Sequence, residues 1–142
     1  MQKLVRVTTD LTVTIHDFPE GSYQEKAETL RMLIGHDCNL YQTVRPKRLY
    51  TDIEGGKKSL EEGNPILMLV DEEGLLKSLV PNMLGIWLYG VDIYGFSIVG
   101  DMLFVGTCCN GMDMDLCGLT EKAAGSLKKE LEEKIAKFAD KN

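Results

Sequence analysis

Gln2-Lys-Leu-Val-Arg-Val-Thr8, then Thr9-Asp10, then Leu11-Thr-Val-Thr-Ile-His-Asp17: the reading of this opening stretch decides the fold. Both runs alternate apolar and polar side chains. In the first, Leu4 and Arg6 lie opposite Val5 and Val7. In the second, Leu11, Val13 and Ile15 share one face, and Thr12, Thr14 and His16 share the other. Period two with β-branched residues predicts two strands, each with one buried face. Thr9-Asp10 suits a tight hairpin turn, although it lacks the usual glycine. The chain therefore starts as an antiparallel pair and needs something to cover its apolar face.

The cover comes next. Ser22-Tyr23-Gln24-Glu25 is a capping box, in which hydroxyl and carboxylate each satisfy the other residue's amide. Apolar residues follow at Tyr23, Ala27, Leu30 and Ile34, which is helical spacing. Gly35 is a natural stop, since glycine takes the left-handed conformation without steric cost. Residues 38–44 and 48–53 read as extended around a turn at Arg45-Pro46-Lys47. Residues 54–65 form a polar loop rich in helix and strand breakers.

Ile66-Leu-Met-Leu-Val-Asp71 is a buried strand, Asp71-Glu-Glu-Gly74 a turn, and residues 75–79 a short returning strand. Pro81 suits the first turn of a helix carrying Met83, Leu84, Trp87 and Leu88 and ending at Gly90. Residues 96–106 read as strand around Gly100-Asp101, and 107–118 as a loop rich in Cys, Asp and Gly. Leu119 to Ala139 is a long amphipathic helix, with Thr120 as cap and Leu127, Leu131, Ile135 and Phe138 as its stripe. Strands and helices are mixed rather than strictly alternating. That pattern predicts one α+β domain over residues 1–142, a mostly antiparallel sheet covered by about three helices.

Composition bounds the function. At 142 residues with 44% hydrophobic and 27% charged residues, the chain can build an ordinary core without staples. A net charge of −6 disfavours non-specific binding to nucleic acid or anionic lipid. No apolar run near the start has signal-peptide length, and none is long enough to span a bilayer, so the expected compartment is the cytoplasm. Cys38, Cys108, Cys109 and Cys117 are then expected as free thiols.

The chemical motifs fall short when tested. Gly55-Gly-Lys-Lys-Ser59 has Thr51 and Lys58 where a phosphate-binding loop needs glycine and serine or threonine. Asp113, Asp115 and Gly118 match a calcium loop, but Cys117 and Ala124 occupy two further ligand positions. Cys108, Cys109 and Cys117 lack the paired spacing of a zinc site. His16 and His36, the only imidazoles, read as surface or structural residues. Glycines 85, 90, 95 and 100 recur every five residues, but the intervening residues differ too much for a repeat; they read as helix stops and strand ends. Arg45, Lys47 and Arg48, flanked by Tyr41 and Tyr50, form the one basic cluster with aromatic neighbours. No metal, no cofactor and no catalytic residue is expected.

Three segments carry a family resemblance: Leu67-Met-Leu-Val-Asp71-Glu-Glu-Gly74-Leu-Leu-Lys77-Ser-Leu79-Val-Pro81-Asn82, Ile98-Val-Gly100-Asp-Met-Leu103-Phe-Val-Gly106, and Gly118-Leu-Thr-Glu121. Together they resemble domain-of-unknown-function family thirty-eight forty-six of bacteria, phages and other mobile elements. The hairpin, the helix ending at Gly35 and the C-terminal helix follow the same order. The chain departs from the family at 45–64, which is longer, and at Cys108–Cys117, where a short acidic loop is expected. The resemblance implies the α+β fold and brings no assigned activity.

The leading expectation is a non-enzymatic module that binds another protein, in a bacterial or mobile-element setting. A small-molecule or phosphate site near Asn82, Trp87 and the Arg45 cluster is the first alternative. Nucleic-acid binding through Arg45, Lys47 and Arg48 is the second, disfavoured by the net charge.

Overall fold

The period-two runs become strands. In the computed structural model, which describes residues 2–44, 46, 66–89, 98–110 and 113–140 (side chains of 108–110, 113, 114 and 138–140 excepted), six antiparallel strands and three helices make an α+β fold. Strand β1 (Lys3–Val7) pairs with β2 (Val13–Asp17) as Val5↔Ile15 and Val7↔Val13. The turn lacks glycine, and Leu11 supplies the missing conformation at φ 66°, an uncommon state for a branched side chain. Asp10 holds the turn by accepting from the Thr8 hydroxyl and the Thr12 amide.

Helix α1 (Tyr23–Ile34) starts at the predicted capping box, with both reciprocal bonds formed. Its end differs from expectation. Gly35 is extended at φ −179°, a conformation open to any residue, and its amide donates to the Arg31 carbonyl. Strand β3 (Tyr41–Val44) pairs with β4 (Ile66–Asp71). The predicted 48–53 strand and 54–65 loop lie outside the described residues.

Residues 75–79 do not return as a strand: 72–78 are successive turns, with Ser78 at φ 56°. A buried carboxylate explains the difference. Asp71 accepts from the Glu73 amide at 2.8 Å and from the Lys77 ammonium at 2.8 Å, coiling the segment on itself. Helix α2 (Met83–Tyr89) begins two residues after Pro81, which pairs instead with Val99 in an isolated bridge. Asn82 is the cap. Gly85 is no helix stop; it sits inside α2 because Ile98 and Met102 pack where its side chain would be.

Strand β5 (Met102–Asn110) is the axis of the sheet, whose order is β2-β1-β5-β4-β3. Within the predicted 107–118 loop, 107–110 continue β5 and 113–117 form β6 (Asp113–Cys117), the two paired from Gly106↔Cys117 to Asn110↔Asp113. Asp115, exposed, belongs to β6, which composition alone reads as loop. At Gly106 the axis strand has Ile66 on one edge and Cys117 on the other, so β6 continues the edge that β1 occupies further back.

Both faces of the sheet are covered. Val5, Val7, Met68 and Phe104 pack beneath α2 and the C-terminal helix α3 (Glu121–Asp140), with Leu84, Leu88, Leu127 and Leu131. Leu4, Leu69, Leu103 and Val105 pack with Leu30 and Ile34 of α1. This two-sided burial is why β4 reads as an unbroken apolar run. Edge strand β2 is shallower, and Ile15 remains 38% exposed. Arg6 ties the layers together: its Nε donates to the Leu33 carbonyl at 2.8 Å and a terminal nitrogen to Asp101 at 2.7 Å.

Thr120 caps α3 as expected, its hydroxyl accepting from the Ala123 amide at 3.1 Å. Gly125 faces open space inside this helix, with nothing within 4 Å of an added Cβ. Gly125→Ala should therefore raise stability by about 0.5–1 kcal/mol, through helix propensity alone. A rise in urea midpoint with unchanged slope checks it.

Candidate functional site

Of the residues singled out from sequence, Asn82 and Trp87 are among those described. Asn82 is fully buried and its side chain is spent on structure. Its Oδ1 accepts from the Gly85 amide at 3.2 Å, which caps α2. Its Nδ2 donates to the carbonyls of Gly100 at 3.1 Å, Val7 at 3.3 Å and Thr8 at 3.4 Å. Trp87 lies half-buried on α2 with the Lys134 ammonium over its ring, 5.4 Å from the centroid. Arg45, Lys47 and Arg48 lie outside the described residues.

His16 shares a 2.8 Å hydrogen bond with the Thr14 hydroxyl, and His36 is exposed. Cys38 is buried, and its thiol donates to the Leu40 carbonyl at 3.4 Å. Burial, with the Asp71 carboxylate adding to it, pushes the Cys38 thiol up to about 11. Since thiolate is the reactive form, Cys38 should alkylate with iodoacetamide at about pH 8 roughly a hundredfold more slowly than an ordinary thiol. Mass spectrometry of timed samples checks this. Among the described residues, no group of three His, Cys, Asp or Glu side chains is placed to hold a metal ion. Nor is any described helix long and apolar enough to cross a membrane.

Two surface features emerge that the sequence reading missed. The first is the coil after β4. The Asp71 side chain is 2% exposed, and Lys77 reaches it while donating a second bond to the Asp37 carbonyl at 2.6 Å. The Asp71 carboxylate holds the Lys77 ammonium above its ordinary range. Lys77 and Cys38 both keep their protons to higher pH when folded. Their contribution to stability is complete below the ordinary lysine and thiol values and is lost as pH rises through the folded ones. Melting temperature should thus fall on the alkaline side, from about pH 9 upward.

This pinned coil displays a ridge. Leu75 is 59% exposed, Leu76 86%, Val80 62% and Met83 58%. Leu40, 56% exposed, borders it, since its carbonyl accepts from the Glu72 amide. A doubled leucine just after a turn was the signal, hidden because the segment read as a strand.

The second feature is a cleft between the first turns of α1 and the end of β6. Phe18, Ala27, Leu30 and Leu116 make an apolar floor, and Tyr23 and Tyr41 flank it. Burial, with Tyr23 adding to it, raises the Tyr41 hydroxyl above its ordinary value. Lys26 and Asp115 complete this cavity of about 280 Å³. A neighbouring hollow of about 530 Å³ shares Phe18, Lys26, Asp115 and Leu116 and continues past Glu20 and Cys117. Tyr23 was the readable signal here: it fits the helix's apolar stripe, yet it is 79% exposed.

One place displays apolar side chains in water, and the other offers apolar side chains with one ammonium and one carboxylate. Comparison with known proteins adds no relative to this picture: no protein-family model, no curated protein and no solved structure matches the chain.

Proposed function

We infer that this chain is a protein-binding module and that the 75–83 ridge is its contact surface. A single observation carries the reading. Four large apolar side chains stand in water on a segment held by the Lys77 ammonium on the buried Asp71 carboxylate, a carboxylate-capped turn and the Asn82 cap. Clustered exposure of this kind marks contact surfaces, whereas isolated exposed apolar residues are ordinary. A pre-shaped loop also loses little conformational entropy on binding. The partner would offer a complementary apolar groove.

The setting we attach to this reading is the cytoplasm of a bacterium or of a cell carrying one of its mobile elements. Its support is the resemblance carried by Leu67–Asn82, together with a buried free thiol at Cys38. The small-ligand alternative gains support at a different place from that expected, the cleft at α1 and β6. Nucleic-acid binding through Arg45, Lys47 and Arg48 stays a minor alternative.

Leu75→Ser combined with Leu76→Ser tests the reading. Both side chains are solvent-facing, so melting temperature should change by no more than a few degrees. The native chain, immobilised in extract of its source cell, should retain one stoichiometric partner, and the double variant should lose it. Equal capture by both chains would end the assignment of the ridge.

A further inference from the structure

We propose that the cleft between α1 and β6 binds an apolar α-amino acid as its zwitterion, with the carboxylate on Lys26, the ammonium on Asp115 and the side chain in the pocket. This goes beyond the protein-binding reading and uses no residue of the 75–83 ridge.

Apolar and charged side chains line the cavity together. Ala27 and Leu30 line only the smaller hollow, where Phe18 is 6%, Ala27 8% and Leu30 2% exposed. Lys26 and Asp115 line both hollows, so they stand at the junction. The larger hollow beyond them is bordered by Gln2, Glu20 and Cys117 and opens to water. A ligand that fits this mixed lining has an apolar part and a charged part. Size narrows it further. About 280 Å³ lies at the small end of ligand pockets and suits a molecule of amino-acid dimensions rather than a nucleotide.

The charges select the head group. A simple anion meeting Lys26 would face the Asp115 carboxylate, and a simple cation meeting Asp115 would face Lys26. Only a molecule bearing both signs is attracted by both groups, and each group repels the wrong class. A carboxylate offers about four lone-pair sites, so Asp115 can accept an ammonium beside any donor it already serves. The same holds in outline for Lys26, which has three donor hydrogens. Tyr41, half-buried at the pocket wall, adds a neutral hydroxyl within the same cavity.

The test titrates the full ¹⁵N-labelled chain with L-leucine and L-phenylalanine, and with two single-charge analogues, N-acetyl-L-leucine and L-leucinamide. Saturable amide shifts are expected at Phe18, Ala27, Leu30 and Leu116 with at least one amino acid. Each analogue should bind about threefold to tenfold more weakly, the range of a partly exposed charged contact. Lys26→Gln should weaken leucine but strengthen leucinamide, and Asp115→Asn should weaken leucine but strengthen N-acetyl-leucine, since each analogue is then freed of a repelling charge. Ala27→Met, which fills the pocket from its floor, should abolish the shifts. The analogue series needs no variant, so it decides the matter even if a substitution perturbs folding. Absence of saturable shifts up to the solubility limit overturns the proposal. Equal affinity for the analogues does so too, since the cleft would then hold apolar groups without reading their charges. Equal capture of the partner by the native chain and by the Leu75→Ser, Leu76→Ser variant, with these shifts intact, would refute the ridge reading alone.

Discussion

Asn82→Asp should unfold this protein more readily than Asn82→Ala, although aspartate is the better helix cap. The alanine variant loses the cap on α2 and takes the Nδ2 donor from the carbonyls of Val7 and Gly100, and from that of Thr8, which keeps the Leu11 amide. Cap loss alone costs about 1 kcal/mol, and buried carbonyls deprived of a partner bring the sum to about 3 kcal/mol. For a chain of this size that is a fall of about 10 °C in melting temperature. Aspartate keeps the acceptor for the Gly85 amide and even suits the helix dipole. It also replaces the Nδ2 donor with a negative oxygen facing three carbonyls at a fully buried position. That repulsion and desolvation should cost about 4 kcal/mol at neutral pH.

The pH dependence of that variant separates the two roles. Burial and the facing carbonyls raise the aspartate's folded pKa above its unfolded value near 4. Its protonated form can donate, so stability is recovered below the unfolded pKa and lost as pH rises through the folded one. The gap between Asn82→Asp and the native chain should narrow on acidification, read by urea midpoints across the acid range. A variant that matches the native chain at neutral pH would show that Asn82 is a cap and nothing more.

Gly85→Val is expected to cost about 3 kcal/mol, the upper range for overpacking a filled core. An added Cβ would lie 2.6 Å from Ile98 Cγ2 and 2.9 Å from Met102 Sδ. Sulfur at the end of a flexible chain can retreat, but a methyl on a β-branched residue cannot without moving its backbone. Alanine at the same place sets two effects against each other: helix propensity favours it by about 1 kcal/mol, and the close contact costs about 1–3 kcal/mol. The contact should win, leaving Gly85→Ala destabilised by about 1 kcal/mol. The same substitution at Gly125 should have the opposite sign. A double-mutant cycle with Ile98→Ala checks the cause, because the coupling should recover most of the loss at Gly85. If Gly85→Ala stabilises, the packing account of this glycine fails.

The contrast between these two glycines shows where sequence reading stops. Both stand inside helices, and nothing local tells them apart. Neighbours brought from residues 98 and 102 make one indispensable and leave the other idle. The same limit governs Asn82. Its position before Met83 announced a cap, but its three carbonyl partners come from β1 and from the approach to β5. The 75–79 segment misled for the same reason, since Lys77 finds Asp71 and Asp37 only after the chain has folded back. The candidate cleft was invisible because Phe18, Lys26 and Asp115 are far apart along the chain.

By itself the sequence determined what short-range physics controls: the opening hairpin from its period-two alternation, the start of α1 from its capping box, the long last helix from its stripe and Thr120, and hence the α+β class. The tertiary structure alone decided that helices cover both faces of the sheet, that 107–110 and 113–117 are strand rather than loop, and which apolar residues stay in water. The reason is range: capping bonds and periodicity act within a few residues, while burial, register and cavities depend on which distant segments come to lie side by side.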